Sequence, residues 1–150
     1  MVYRMAKLYG KTKEDAEDIF QEVFLRLVRY IHRLESGEHI RNWLLRVTIN
    51  CGKTHRRKMA KQQTLPLNEE WTETVSDDLS EMEWRVYTAV KSLPPKYRTI
   101  VHLYYYEELS IKEISKCLER KEGTVKSQLA RGRVLLGRKL GEEFGNGTVL

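Results

Sequence analysis

The chain has only two cysteines, Cys51 and Cys117, far apart and neither in a Cys-x-x-Cys pair. That spacing argues against a disulfide framework and against a thiolate zinc site. Its histidines, His32, His39, His55 and His102, form no His-Glu-x-x-His pair. No nucleophile elbow, phosphate loop or Gly-x-Gly-x-x-Gly turn occurs either. These gaps leave enzymatic chemistry, a cofactor and a small-molecule substrate without a foothold. No apolar run approaches the ~20 residues that cross a bilayer. The opening Met1-Val2-Tyr3-Arg4-Met5-Ala6-Lys7 lacks the apolar stretch and cleavage site of a signal peptide. A cytoplasmic protein with no membrane insertion is expected.

Proline and glycine are nearly absent from long stretches, and no run alternates polar and apolar as a strand would. What remains is helical periodicity, which predicts an all-α chain. From Asp15 the apolar positions Ile19, Phe20, Val23, Phe24, Leu27, Val28 and Ile31 form one stripe, with Thr12 as the N-cap. Glu35-Ser36-Gly37-Glu38-His39 reads as a loop. A second helix runs from about Ile40, with Ile40, Trp43, Leu44, Val47 and Cys51 on its inner face.

Periodicity then fails from Gln62 to Leu79. This segment holds Pro66, several Ser and Thr, and Glu69, Glu70, Glu73, Asp77 and Asp78, with no Lys or Arg. Such composition marks a flexible acidic linker. It divides the chain into modules at 1–61 and 80–150, joined by 62–79.

Helices resume at Ser80-Glu81-Met82-Glu83, a capping box whose Ser and Glu satisfy orphan amides reciprocally. Pro94-Pro95 ends that helix, and Pro95 opens the next at its first turn. A second capping box, Ser110-Ile111-Lys112-Glu113, starts a short helix to about Leu118, and a last helix runs from about Gly123 towards Leu140. Short helix, tight turn and longer basic helix give the helix-turn-helix outline.

The net charge of +6 is informative through its distribution. In the last helix Val125, Leu129 and Leu136 face Ile111, Ile114 and Leu118, which sends Lys126, Ser127 and Arg131 outward. Recognition helices reach base edges with such residues, while nearby cations hold phosphate. The competing reading is a solvated basic face on a helical bundle. In the second helix Arg46, Asn50, Lys53 and Arg57 form an exposed strip, which His55-Arg56-Arg57-Lys58 extends. Asn can donate and accept at one base, and its neighbours attract phosphate. A basic helix end favoured by the helix dipole explains the same residues. The first helix instead exposes Asp15, Asp18, Gln21 and Glu22, a face suited to a basic protein surface or to stabilising the helix start.

Three segments, Asp15–Arg29, Arg41–Lys58 and Ser92–Arg133, in this order around a linker, resemble extracytoplasmic-function sigma factors of bacterial RNA polymerase. The resemblance implies a region 2 helical bundle followed by a region 4 helix-turn-helix. It implies partners: the polymerase core through its β′ clamp and β subunit, promoter DNA, and an anti-sigma factor. Asp18, Gln21 and Glu22 match positions that dock on the β′ clamp. Trp43, Arg46, Asn50, Lys53, Arg56 and Arg57 lie in the segment that meets the −10 element, with Glu35–His39 where a flipped base is held. Thr124, Lys126, Ser127 and Arg131 lie where region 4 reads the −35 element. The alternatives are a stand-alone helix-turn-helix regulator, or an inactive sigma paralogue serving as a protein-binding adaptor.

Departures from the family pattern are also visible. Family members usually begin with a further helix before the one ending near Gly10, whereas here only about eight residues remain, too few for an independent helix, so module 1–61 reads as N-terminally short. The turn carries Glu119-Arg120-Lys121 in place of Gly and Pro, which predicts mild left-handed strain. Gln128 and Ala130 replace a more frequent Arg and a larger side chain.

Overall fold

The computed structural model describes residues 1–62 and 80–144. They contain seven α-helices, one 3-10 turn and no strand, and they divide into two compact units. The acidic linker expected at 62–79 lies outside the described residues, apart from Gln62 at the end of a helix.

In the first unit α1 (Val2–Tyr9) packs on α2 (Lys13–Tyr30) and on α3 (Gly37–Gln62), and α2 packs on α3. These first residues form a helix, one that is held by packing and not independent. Isolated, eight residues could not hold a nucleus. Here Met5 and Ala6 are fully buried, with Val2, Leu8 and Tyr9 nearly so, and tertiary packing supplies what propensity cannot.

Thr12 caps α2 as expected: its hydroxyl accepts from Asp15 N–H at 3.1 Å, and the Asp15 carboxylate accepts from Thr12 N–H at 3.0 Å. That reciprocal box turns Asp15 inward, to 8 % exposure, and so corrects its place on the outer acidic face.

The apolar stripe of α2 is only half interior. Ile19 and Val23 are buried, but Phe24, Val28 and Ile31, read as one continuous core stripe with them, face solvent. Helix length gives the reason: α1 spans about 12 Å and α2 about 27 Å, so α1 covers the first turns alone.

Helix α3 starts at Gly37, earlier than Ile40, so the expected loop is partly its first turn. Ser36 Oγ accepts from His39 N–H at 3.1 Å, and His39 Nδ1 accepts from Glu35 N–H at 3.3 Å. Its inner face is also rotated from the expected one. Leu45, Thr48, Ile49, Cys51 and Gly52 are buried, whereas Trp43, Leu44 and Val47 are half-buried. Gly52 sits beneath the Tyr9 ring, where a Cβ would come within 2.4 Å of it.

The second unit comprises α4 (Glu81–Lys91), α5 (Pro95–Tyr105), α6 (Ile111–Leu118) and α7 (Glu122–Phe144). Both expected capping boxes form, at Ser80/Glu83 and Ser110/Glu113, and Pro95 occupies the first turn of α5. Helix α7 packs on α5, α6 and α4, burying Val125, Leu129, Leu136 and Leu140. Two buried polar side chains find partners here: Arg98 Nη1 donates to Lys91 O at 3.0 Å, closing the end of α4. His102 Nε2 lies 3.1 Å from Glu107 Oε1. Glu119 takes the expected left-handed turn, with φ 55 and ψ 47.

Candidate functional site

Three helix faces carry the candidate residues. On α3, Trp43, Arg46, Asn50, Lys53 and Arg57 follow one another at steps of three or four, so they share a ribbon about 80° wide. Arg46, Asn50 and Arg57 are exposed and Lys53 is half-buried. The Trp43 ring is half-buried, 6.2 Å from that of Tyr30 and inclined at 40°. Arg56 stands off this ribbon towards the core, and its Nη1 is buried with no hydrogen-bond partner among the described residues. His55 leaves the cationic end altogether: its Nε2 turns to Asp15 Oδ1 at 3.0 Å. Cys51 is buried behind the ribbon, and desolvation pushes its thiol pKa up against the opposing pull of Arg26.

The face of α2 is different in kind. Asp18, Gln21 and Glu22 are all exposed, and Glu22 Oε1 accepts from Arg26 Nε at 2.9 Å within the helix. The same line continues into apolar side chains that sequence reasoning missed or consigned to the core. Leu25 is 59 % and Val28 74 % exposed, at steps of four and three beyond Gln21. Their spacing from Gln21 was the available signal; amphipathic periodicity alone reads every apolar position as inward.

On α7, Thr124, Lys126, Ser127 and Arg131 are exposed, as the sequence suggested. Ser127 Oγ donates back to Gly123 O at 3.0 Å, which leaves its lone pairs to accept. Arg131 and Tyr97 of α5 line the same shallow cleft, and the Arg131 guanidinium, with Lys96 adding to its effect, holds the Tyr97 phenol below its ordinary pKa. Arg120, in the turn, donates from Nη1 to Gln128 Oε1 at 2.9 Å. Arg133 Nε donates to Tyr105 Oη at 2.6 Å and its guanidinium lies over the Tyr104 ring at 5.3 Å. The Tyr97 and Arg120 contacts had no signal in sequence, because they join residues that no helical period brings together.

Residues 1–62 match the family described as Sigma-70 region 2, and residues 83–136 match Sigma-70, region 4. An extracytoplasmic-function sigma factor of Bacillus subtilis, SigM, is 33% identical over 137 residues, covering 88% of this chain and 83% of that protein. The chain belongs to the sigma-70 family, in its extracytoplasmic-function branch. SigM of Mycobacterium tuberculosis is 31% identical over 142 residues, 93% of this chain and 71% of that sigma factor. SigE of Mycolicibacterium smegmatis is 34% identical over 142 residues, and there the match spans 54% of the relative's length. A solved sigma factor, RpoE of Bartonella quintana in complex with the anti-sigma factor NepR, has the same fold, with a TM-score of 0.74 at 17% identity. That likeness covers 93% of this chain and 89% of the solved one. In the terms of this family, α1–α3 are region 2 and α4–α7 are region 4. No helix of the described residues is long and apolar enough to cross a membrane.

Proposed function

We propose that this sigma factor recruits core RNA polymerase to promoters and captures the melted −10 strand, acting in the cytoplasm without catalysing a reaction itself. The observation that carries the reading is the pairing of two DNA-suited helix faces, on α3 and on α7, in separate units of one chain. Asp18, Gln21 and Glu22 dock on the β′ clamp, with the apolar line of Leu25 and Val28 extending that contact. Trp43, Arg46, Asn50, Lys53 and Arg57 meet the −10 element. Arg56 supports them through phosphate attraction. Thr124, Lys126, Ser127 and Arg131 enter the major groove at −35, as the first half of a recognition helix does. Modules 1–61 and 80–150 are bridged by 62–79, which can span roughly 60 Å when extended.

The division of labour follows from energetics. Extracting a base from its stack costs a few kcal/mol, which binding energy from the second element offsets. Neither short cationic face gives tight binding alone, and its phosphate contacts weaken as salt rises. An anti-sigma factor would regulate the chain by competing for these faces, a proposal supported by the NepR-bound state of the fold neighbour. The test is promoter affinity measured by fluorescence anisotropy with and without core polymerase. Tight binding is expected only in the presence of core. Equal affinity without core would identify a stand-alone regulator instead.

A further inference from the structure

Arg120, in the turn between α6 and α7, is held through both its backbone and its side chain. Its amide donates to Ser115 O of α6 at 3.0 Å, and its carbonyl accepts from the Ser115 hydroxyl. Its Nη1 then donates to Gln128 Oε1 on α7 at 2.9 Å. Both side chains are half-buried. The contact ties the turn to the middle of the recognition helix.

Gln128 stands four residues after Thr124 and three before Arg131. It therefore borders their exposed strip, on the side nearer the buried Val125 and Leu129. Arg120 settles which way its amide points. A guanidinium has donors and no acceptor, so the amide oxygen faces it and the amide nitrogen faces away. With the oxygen drawn to a cation, the side chain offers the two Nε2 N–H donors outward. A glutamine with both groups free reads adenine, accepting from N6 and donating to N7. One that offers donors alone matches O6 and N7 of guanine or O4 of thymine. Adenine and cytosine place an amino group there, which sets donor against donor.

We propose that Gln128 is a specificity-determining residue of region 4 and that Arg120 is its positioning residue, the pair selecting a keto base, guanine or thymine, at one −35 position. Holding the side chain beforehand also lowers the rotamer entropy lost on binding. The inference rests on the reading of α7 as the helix that enters the −35 major groove.

The test measures affinities of wild type, Gln128→Ala and Arg120→Ala, each as the full chain bound to core polymerase. The duplexes carry all four base pairs at every −35 position. Preferences are read as ratios between duplexes, so the uniform phosphate attraction of Arg120 cancels. Gln128→Ala is expected to flatten the keto preference at one position by about 3- to 10-fold, the size of one hydrogen bond. Arg120→Ala is expected to turn that same position towards adenine, raising the adenine-to-guanine ratio about 3- to 10-fold. A Gln128→Ala panel identical to wild type overturns the assignment of Gln128. Adenine preferred by the wild-type chain at the position that Gln128→Ala alters overturns the orienting role of Arg120. So does an Arg120→Ala protein that weakens every duplex by one factor. A wild-type panel without preference at any position removes the −35 reading and this inference together. A second measurement needs no variant to fold: the NMR order parameter of the Gln128 side-chain amide in the wild-type chain is expected above the flexible range of about 0.6. A value below it contradicts an amide held by Arg120.

Discussion

His55 Nε2 lies 3.0 Å from Asp15 Oδ1, tying the middle of α3 to the first turn of α2. The same carboxylate accepts from the Lys11 and Thr12 amides, each at 3.0 Å. Burial by itself would raise the Asp15 pKa; the bonds from His55, Lys11 and Thr12 outweigh it and hold the group below its ordinary 3.8. A carboxylate whose pKa is depressed by folding stabilises the native state above its unfolded value, and that contribution fades as pH falls through the folded value. Region 2 is therefore expected to lose stability below about pH 4, beyond what Asp15→Asn shows. Urea unfolding followed by Trp43 fluorescence, with Trp71 and Trp84 replaced by Phe, checks this. Matching acid limbs in the two proteins would rule out the linkage.

Gly52→Ala should destabilise region 2 by about 1–3 kcal/mol, because overpacking forces α1 from α3. The new methyl would overlap the Tyr9 ring, whose Cγ lies 2.4 Å from its position. Gly137→Ala is the opposite case. Nothing lies within 4 Å of the added Cβ, so region 4 should gain up to about 1 kcal/mol from helix propensity. Denaturation of the two variants should shift in opposite directions.

Folding rests on the buried side of α3, docking on the exposed side of α2. Leu45→Ala should cost about 2–5 kcal/mol, since the side chain is 1% exposed, whereas Val28→Ala should stay within about 0.5 kcal/mol. Gln21→Lys with Glu22→Lys should abolish co-purification with core polymerase and leave helicity intact. The Glu22–Arg26 pair is exposed, and such pairs contribute only about 0.3–0.5 kcal/mol. Core recovery at wild-type yield would remove the docking assignment.

Glu119→Gly should stabilise region 4. A non-glycine residue at φ 55 and ψ 47 carries a steric cost of about 1–2 kcal/mol, part of which glycine returns as unfolded-state entropy. A net gain of about 0.5–1 kcal/mol is expected in thermal or urea unfolding. A loss would mean that the Glu119 side chain contributes more than its backbone costs.

Local signals were legible because they act over three or four residues. Thr12, Ser80, Ser110 and Pro95 mark helix starts that the structure reproduces. The left-handed turn was likewise visible in a glycine-free Glu119-Arg120-Lys121. What escaped depended on neighbours distant in sequence. Leu45 and Ile49, fully interior, were passed over in favour of Trp43 and Val47, because an apolar-rich helix offers two plausible faces until its partner is known. Val28 reads as core from its period, yet no helix among the described residues covers it. Asp15 and His55 look like surface charges until α2 and α3 meet. The close approach of α7 to α5 at Gly132, against Val101 and Tyr97, is announced by no pattern in either helix.

Transcription reconstituted from purified parts tests the sigma assignment most directly. Core polymerase stripped of other sigma factors is mixed with this chain on a library of randomised promoter DNA, and the 5′ ends of the transcripts are sequenced. Initiation well above that of core alone is expected, at positions that share a −35 and a −10 element at one fixed spacing. It should vanish with the Gln21→Lys, Glu22→Lys protein. Transcripts no more frequent or better positioned than those of core alone would contradict it.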